Sequence, residues 1–107
     1  MKLDSRKYLF DIKYAIDLIE EFIGGHDFDQ YINDLKTKSA VERQLGIIGE
    51  AVNSYKKETG DELSDTKEII GFRNRLIHNY DNLEDEIIWT ILKQHLPGLK
   101  EEVISLL

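Results

Sequence analysis

Four side chains that can act together on a phosphodiester lie within residues 71–80 of this chain: Arg73, Asn74, His78 and Tyr80. An arginine holds a phosphate through paired hydrogen bonds, and a histidine exchanges a proton near neutral pH. Metal-free RNA cleavage needs a base for the 2′-hydroxyl proton, an acid for the leaving oxygen and a fixed cation for the phosphoryl charge. Arg73 and His78 fit these roles. Asn74, one helical turn before His78, can fix the imidazole or donate to a phosphate oxygen.

The spacing of Arg73 and His78 raises a geometric problem. At about 100° per residue, five steps along a regular helix place them roughly 140° apart around its axis. They converge on one atom only if the helix ends or distorts near His78, or if a second subunit completes the site. We favour a symmetric homodimer in which two copies of the stretch line one cleft, because a two-fold interface also doubles the positive charge there.

The charge of the chain is unevenly distributed. A net charge of −7 argues against a protein that coats nucleic acid, because phosphate contacts need Lys and Arg. Residues 1–65 carry −5 and residues 81–107 carry −4, whereas residues 66–80 carry +2. Local charge decides whether a single phosphate can be held, and the only positive window contains the four candidate residues.

Length and composition predict one domain over residues 1–107, with 41% apolar residues available for a core. The chain has no cysteine, which excludes disulfides and thiolate metal ligands and suits a reducing compartment. No apolar run is long enough for a signal core or a membrane span, so we expect a cytoplasmic protein.

Apolar residues recur at three- and four-residue steps through most of the chain, a spacing typical of amphipathic helices. With no strand pattern present, the predicted fold is all-α, an antiparallel four-helix bundle with an extra short helix within residues 27–36. The predicted inward-facing residues, in chain order, are Leu9, Ile12, Ile16, Ile19, Ile23, then Phe28, Tyr31, Ile32, Leu35, then Val41, Leu45, Ile48, Val52, Tyr55, then Ile87, Ile88, Ile91, Leu92, Leu96, Leu99, Val103 and Leu106.

Helix boundaries are predicted from glycine, proline and capping residues. Gly24 and Gly25 should end the first helix, and Thr37 or Ser39 should cap a helix over about residues 38–58. Asp65 and Glu68 should form a capping box at the start of the next helix, which carries the candidate residues. Pro97 should kink or break the last helix after His95.

Other polar and aromatic residues have simpler interpretations. Glu50 lies beside an apolar stripe, and we interpret it as a solvated carboxylate, with a role in orienting a basic group as the alternative. His26 and His95 are interpreted as structural or solvated, and Trp89 as packed. No two histidines have metal-ligand spacing, so no metal and no other cofactor is expected.

The chain as a whole resembles a known family. Residues 73–80 resemble the R-x4-H-x-Y signature of HepT-like proteins, within the wider HEPN superfamily. Residues 41–51 resemble that family's E-R-x-L…I-G-E-A pattern, and residues 71–78 its G-M-R-N-x-L-I-H segment, with Phe72 where methionine is common. Trp89 and residues 96–100 resemble its closing W…L-P-x-L stretch, so the match covers roughly residues 5–105 in consistent order.

The resemblance implies a HEPN-like, homodimeric, metal-independent endoribonuclease toxin that acts on RNA. It implies that Arg73 and His78 are catalytic and that Asn74 supports them. It also implies a partner, an antitoxin of the MntA type that is a minimal nucleotidyltransferase and transfers AMP from ATP to Tyr80. A negatively charged adenylate beside Arg73 would compete with the phosphate of RNA.

Two further interpretations remain open at the level of sequence. In one, the chain is a non-catalytic helical module whose positive cleft holds a nucleotide or the nucleotidyltransferase, with Arg73 as an anchor only. In the other, the chain is a helical dimer in which His78 and Tyr80 are core or interface residues. RNA cleavage by the purified protein separates the first interpretation from the enzyme, and the environment of His78 tests the second.

Overall fold

The computed structural model of the protein describes the backbone of residues 3–78 and 85–107, and the side chains of residues 5–73 and 85–107. Every regular element in these two ranges is helical, so the predicted all-α fold is confirmed. The elements are α1 (Leu3–Ile23), α2 (Phe28–Ile32), α3 (Leu35–Thr59), α4 (Lys67–His78), α5 (Asp85–Thr90), a π-helical segment (Ile91–His95) and α6 (Leu96–Leu106). None of the helices in the described ranges combines the length and apolarity needed to cross a membrane.

Helices α1 and α3 form the centre of the domain and pack against each other along their apolar stripes. α4 lies on α3, α6 lies on α1, and the short α2 contacts α3. The five predicted stripe residues of α1 are all buried, as are the five of α3. Burial of these aliphatic side chains is the main stabilising term of the fold, at roughly 1.5–3 kcal/mol for each fully buried Leu, Ile or Val. α1 ends where predicted, because Gly25 adopts a left-handed conformation with φ 82°.

The short helix α2 begins with a complete capping box. The Asp27 carboxylate accepts from the backbone N–H of Gln30, and the Gln30 side chain accepts from the backbone N–H of Asp27. Tyr31 is fully buried as predicted, but the prediction for Leu35 is wrong, since its side chain is 74% exposed. Leu35 is the first residue of α3, and its side chain lies outside the apolar core.

The start of α3 also differs from the prediction. Asp34 is the N-cap, and its carboxylate accepts from both the backbone N–H and the hydroxyl of Thr37. The predicted caps Thr37 and Ser39 therefore lie inside the helix. Asp34 is the better N-cap because its carboxylate accepts hydrogen bonds from two donors at once. A helix that began at Thr37 would leave the backbone N–H groups of the turn before it without acceptors.

The predicted capping box of α4 is wrong as well. Asp65 has a positive φ of 58° and lies one residue before the N-cap position, because the carbonyl of Thr66 accepts the first helical hydrogen bond from Ile70. The Asp65 carboxylate instead faces the π-helical segment, with Oδ1 3.4 Å from Nδ1 of His95. The contact of Asp65 with His95 thus takes the place of the expected capping hydrogen bonds between Asp65 and Glu68.

The last rod runs from α5 through the π-helical segment into α6 without a loop. Leu96 donates its backbone N–H to the carbonyl of Ile91, five residues earlier, which is the π pattern. Pro97 lies in the first turn of α6 and has no N–H, so the wider ring ahead of it accommodates the break that the sequence predicts after His95. Six of the eight inward-facing residues predicted for this rod are buried and Ile87 is partly buried. Leu106 is 40% exposed, contrary to the prediction.

Candidate functional site

Helix α4 carries Arg73, Asn74 and His78 and is anchored to the domain by its apolar face. Ile69 is fully buried and Phe72 is 2% exposed, and the helix packs on α3. Arg73 follows Phe72 directly, so the burial of the phenyl ring fixes where the arginine leaves the helix. Gly71 lies on the opposite, exposed side, where a Cβ would meet no atom of the described residues within 4 Å.

The stem of Arg73 crosses α3 at Gly49. A Cβ added to Gly49 would lie 3.0 Å from Cδ and 3.1 Å from Cβ of Arg73, distances tighter than ordinary van der Waals contact. The arginine therefore occupies the space that any other residue at position 49 would fill. The sequence signal for this contact is the group of small residues Gly46, Gly49 and Ala51 on α3. Small residues on a helix predict the close approach of a neighbour but not which neighbour it is.

Glu50 is the charged group that faces the Arg73 guanidinium from α3. Its Oε1 lies 4.0 Å from Nη2 of Arg73, an ion-pair distance that is too long for a hydrogen bond. The Glu50 side chain is 70% exposed, whereas that of Arg73 is 26% exposed. The Nε atom of Arg73 is buried and has no hydrogen-bond partner among the described residues. A partly shielded guanidinium whose donors are not consumed by this carboxylate is suited to hold a phosphate.

The remaining candidate residues lie at or beyond the limit of the described side chains. The backbone of Asn74 and His78 belongs to α4, and His78 is the last residue of that helix. The helix thus runs through both Arg73 and His78, which keeps their Cα directions roughly 140° apart around its axis. The side chains of Asn74, Arg75 and His78 lie outside the described residues, as does Tyr80 entirely. Their catalytic or modified roles stay predictions.

The other singled-out residues have structural surroundings that agree with their interpretation. Nε2 of His26 lies 3.1 Å from Oδ2 of Asp34, and Trp89 packs against the rings of Phe28 and Tyr31, with ring centroids 6.0 and 5.2 Å away. The hydrogen bonds from Thr37, with help from His26, lower the pKa of the Asp34 carboxyl to about 2. The contact between His26 and Asp34 ties the loop before α2 to the N-cap of α3, and the Trp89 contacts join α5 to α2.

A second group of charged residues lies where α3 meets the start of α5. Lys38 Nζ is 3.0 Å from each carboxylate oxygen of Asp85, and Glu42 lies one turn further along α3. Burial raises the pKa of Glu42, and the nearby Asp85 adds to the effect while Lys38 opposes it. Burial and the same two carboxylates raise the pKa of Tyr31, whose hydroxyl is buried without a partner among the described residues.

Among the described residues, no metal-binding cluster is present, and a groove beside α1 and α6 lies away from Arg73. The described residues contain no group of three His, Cys, Asp or Glu side chains arranged to hold a metal ion. A groove of about 540 Å³ lies between the end of α1 and the start of α6, lined by apolar residues such as Ile23 and Leu96. Its two lysines are already engaged, Lys93 over the Trp89 ring and Lys100 with Asp17 and Glu20.

Comparison with known proteins gives a consistent result over nearly the whole chain. The model of the family described as "Ribonuclease HepT-like" matches residues 12–106. The chain is similar to "Probable ribonuclease HepT" of Thermococcus cleftensis, with 38% identity over 94% of this chain and 93% of that protein. It is 34% identical to "Putative RNase MJ1380" of Methanocaldococcus jannaschii, over 95% of each chain. It is 35% identical to "Putative RNase TTE0752" of Caldanaerobacter subterraneus subsp. tengcongensis, over 95% of this chain and 93% of that one. No solved structure matches it.

Proposed function

Because the chain belongs to the HepT-like ribonuclease family, we propose that it is an endoribonuclease toxin that cleaves RNA without a metal, in a cleft between two copies of the chain. The observation that carries this proposal is the setting of Arg73. Its stem is fixed against α3, its guanidinium is partly shielded, and Glu50, the nearest carboxylate among the described residues, lies too far away to occupy its donors. Such a group stabilises charge that develops on phosphoryl oxygens.

The chemistry assigned to the cleft is an internal phosphoryl transfer. One His78 takes the proton of the 2′-hydroxyl, the 2′-oxygen bonds to phosphorus, and the bond from phosphorus to the 5′-oxygen breaks. A second His78, from the other copy, returns a proton to the leaving 5′-oxygen, which gives a cyclic phosphate and a 5′-hydroxyl. Arg73 holds the non-bridging oxygens, and Asn74 orients the imidazole or the phosphate. In a two-fold cleft, Arg73 of one copy and His78 of the other can face the same phosphate, although the two residues lie on different sides of α4 within one copy.

Control of the enzyme is assigned to Tyr80 and a partner. A minimal nucleotidyltransferase antitoxin of the MntA type binds ATP, the Tyr80 phenolic oxygen attacks the α-phosphorus, and pyrophosphate leaves. The product is an AMP ester on Tyr80. This adenylate places a negative charge within reach of Arg73, where it competes with the RNA phosphate and repels it.

The direct test of the nuclease is cleavage of a fluorescently labelled RNA by purified variants. Arg73→Ala and His78→Ala should each lower the rate by at least about 100-fold, the typical effect of removing one transition-state donor. Lys57→Ala, which removes an exposed cation from α3, is the matched control and should cleave normally. Circular dichroism checks that each variant is folded. Full cleavage by His78→Ala protein would overturn the assignment.

A non-catalytic module is the alternative that one observation favours. α4 is helical from Lys67 through His78, so a single copy holds Arg73 and His78 on different sides of the helix. In this alternative, Arg73 only anchors a nucleotide or the nucleotidyltransferase. Tight association of the purified protein with its partner, without RNA cleavage by any concentration of the wild type, would select it.

A further inference from the structure

Two neighbouring residues of α3, Gly49 and Glu50, contact the side chain of Arg73. Two consecutive residues of α3 act on the same side chain in different ways: Gly49 by shape and Glu50 by charge. The aliphatic stem lies against the bare backbone of Gly49, with Cδ 3.0 Å from the place where a Cβ would be. The guanidinium at the end of the stem lies 4.0 Å from the Glu50 carboxylate.

The distance to Glu50 is the informative quantity. A carboxylate at about 2.8 Å would bind the guanidinium through charge-assisted hydrogen bonds and would occupy the donors that a phosphate needs. At 4.0 Å it attracts the cation without taking a donor, so it biases the direction of the side chain and leaves its hydrogen-bonding edge for another anion. The Nε atom of Arg73 is buried, so the guanidinium is shielded at its base, and Nε has no hydrogen-bond partner among the described residues.

We propose that Gly49 and Glu50 are positioning residues for Arg73, and that they set the angle at which its guanidinium meets the phosphate of the RNA. Gly49 provides the surface on which the stem rests, and Glu50 provides an electrostatic guide that never becomes a ligand. The inference rests on the proposed ribonuclease function, because it assigns these two residues to the arginine of that site.

The charge of Glu50 gives the proposal a specific kinetic signature. Removing the carboxylate loosens the guanidinium, which lowers kcat, but it also removes a repulsion between Glu50 and the RNA phosphate, which lowers KM. A residue that only stabilises the fold would reduce the fraction of active protein and leave KM unchanged. A fall in both constants therefore separates positioning from a structural role.

Glu50→Gln is the first test, because it keeps the shape of the side chain and lies on the surface. We expect kcat to fall about fivefold and KM to fall as well, with an unchanged melting temperature, since an exposed ion pair adds little stability. Glu58→Gln removes the same charge from an exposed position of the same helix and should leave both constants near the wild-type values. Wild-type kcat and KM in Glu50→Gln would overturn the role of Glu50.

Gly49→Ala tests the surface on which the stem rests. The added methyl group must displace Arg73, and we expect kcat to fall by at least about tenfold, since small misplacements of a reacting group are costly. Gly71→Ala, where the added methyl group meets no atom of the described residues within 4 Å, is the control and should retain activity. Wild-type kinetics in Gly49→Ala would show that the contact does not set the position of the guanidinium.

A measurement without RNA makes the inference independent of activity. The Nε–H resonance of Arg73, identified by its disappearance in Arg73→Lys, should exchange slowly with water because the atom is buried. In Glu50→Gln and Gly49→Ala we expect this resonance to shift and to exchange faster, while the two control variants retain the wild-type signal. An unchanged resonance in both variants overturns the inference. If the resonance responds but Arg73→Ala still cleaves RNA, the positioning stands and the proposed function fails.

Discussion

Lys38 Nζ lies 3.0 Å from both carboxylate oxygens of Asp85, and this ion pair joins α3 to the first residue of α5. Both side chains are largely shielded, at 20% and 28% exposed. Because α5 begins the last helical rod of the domain, the pair anchors the start of that rod to α3. Glu42 lies one turn further along α3, where burial raises the pKa of its carboxyl, the charge of Lys38 lowers that pKa and the charge of Asp85 raises it.

Lys38→Met should therefore lower the free energy of unfolding by about 1–3 kcal/mol, because it leaves two partly shielded carboxylates near each other without a cation. Urea unfolding followed by circular dichroism measures the change. Lys36→Met removes an exposed lysine from the same helix and should have little effect. Equal stability of the two variants would show that the ion pair adds nothing to the fold.

Glu42→Gln should raise the melting temperature at pH 7. Burial raises the pKa of Glu42 above its ordinary value of 4.5, so the ionised carboxylate costs the folded state free energy at neutral pH. Below pH 4.5 the group is neutral in both states, and the advantage of the variant should vanish. Scanning calorimetry of both proteins between pH 3 and pH 7 follows the difference. A variant that is less stable than the wild type at pH 7 would contradict the prediction.

Asp34→Asn should show the opposite dependence on pH. The pKa of Asp34 is lowered from 3.8 to about 2, chiefly by hydrogen bonds from Thr37, so its charged form stabilises the folded state above pH 3.8. We expect the wild type to melt at a higher temperature than the variant at pH 7, and the difference to disappear as the pH falls through about 2. Asparagine retains the capping oxygen, which isolates the effect of the charge. Asp61→Asn, at an exposed position, is the control.

These positions show what periodicity can and cannot predict. The buried stripes of α1 and α3 follow from apolar spacing, because a helix that is covered along its length must bury every residue of one face. Leu35 and Leu106 belong to the same pattern but stand at helix ends, where cover depends on which neighbour reaches that far. The cap at Asp34 and the position of Asp65 depend on Thr37 and on His95, and only the second of these is a tertiary contact.

The candidate site divides in the same way. Residue types and spacing single out Arg73, Asn74, His78 and Tyr80, and the resemblance to HepT-like proteins assigns their roles. The contact of Arg73 with Gly49 and Glu50 could not be predicted, since a small residue on α3 does not say what approaches it. The sequence favours Glu50 as a solvated carboxylate, with a role in orienting a basic group as the alternative. At 70% exposed and 4.0 Å from Arg73, it has features of both.

Removal of divalent metal should leave RNA cleavage intact. The proposed reaction uses proton transfer by His78 and charge stabilisation by Arg73, and neither step needs a metal ion. We expect the same cleavage rate in excess EDTA as in its absence. Loss of activity in the chelator, with recovery on addition of Mg²⁺ or Mn²⁺, would contradict the proposed mechanism.

Incubation with ATP and the nucleotidyltransferase should add AMP to Tyr80 and stop cleavage. Intact-mass analysis detects the increment, and the RNA assay follows the loss of activity. Tyr80→Phe should take up no AMP and should resist inactivation, while Tyr14→Phe, at a tyrosine that is 66% exposed, should behave as the wild type. An increment that persists in Tyr80→Phe would place the modification on another residue.

The bare backbone at Gly49 sets a limit on how stable this protein can become. A glycine inside a helix costs roughly 1 kcal/mol relative to alanine, so replacing it would ordinarily strengthen α3. At this position, however, the added methyl group would displace the side chain of Arg73. Under the proposed function, selection for thermostability and selection for activity therefore act in opposite directions on Gly49.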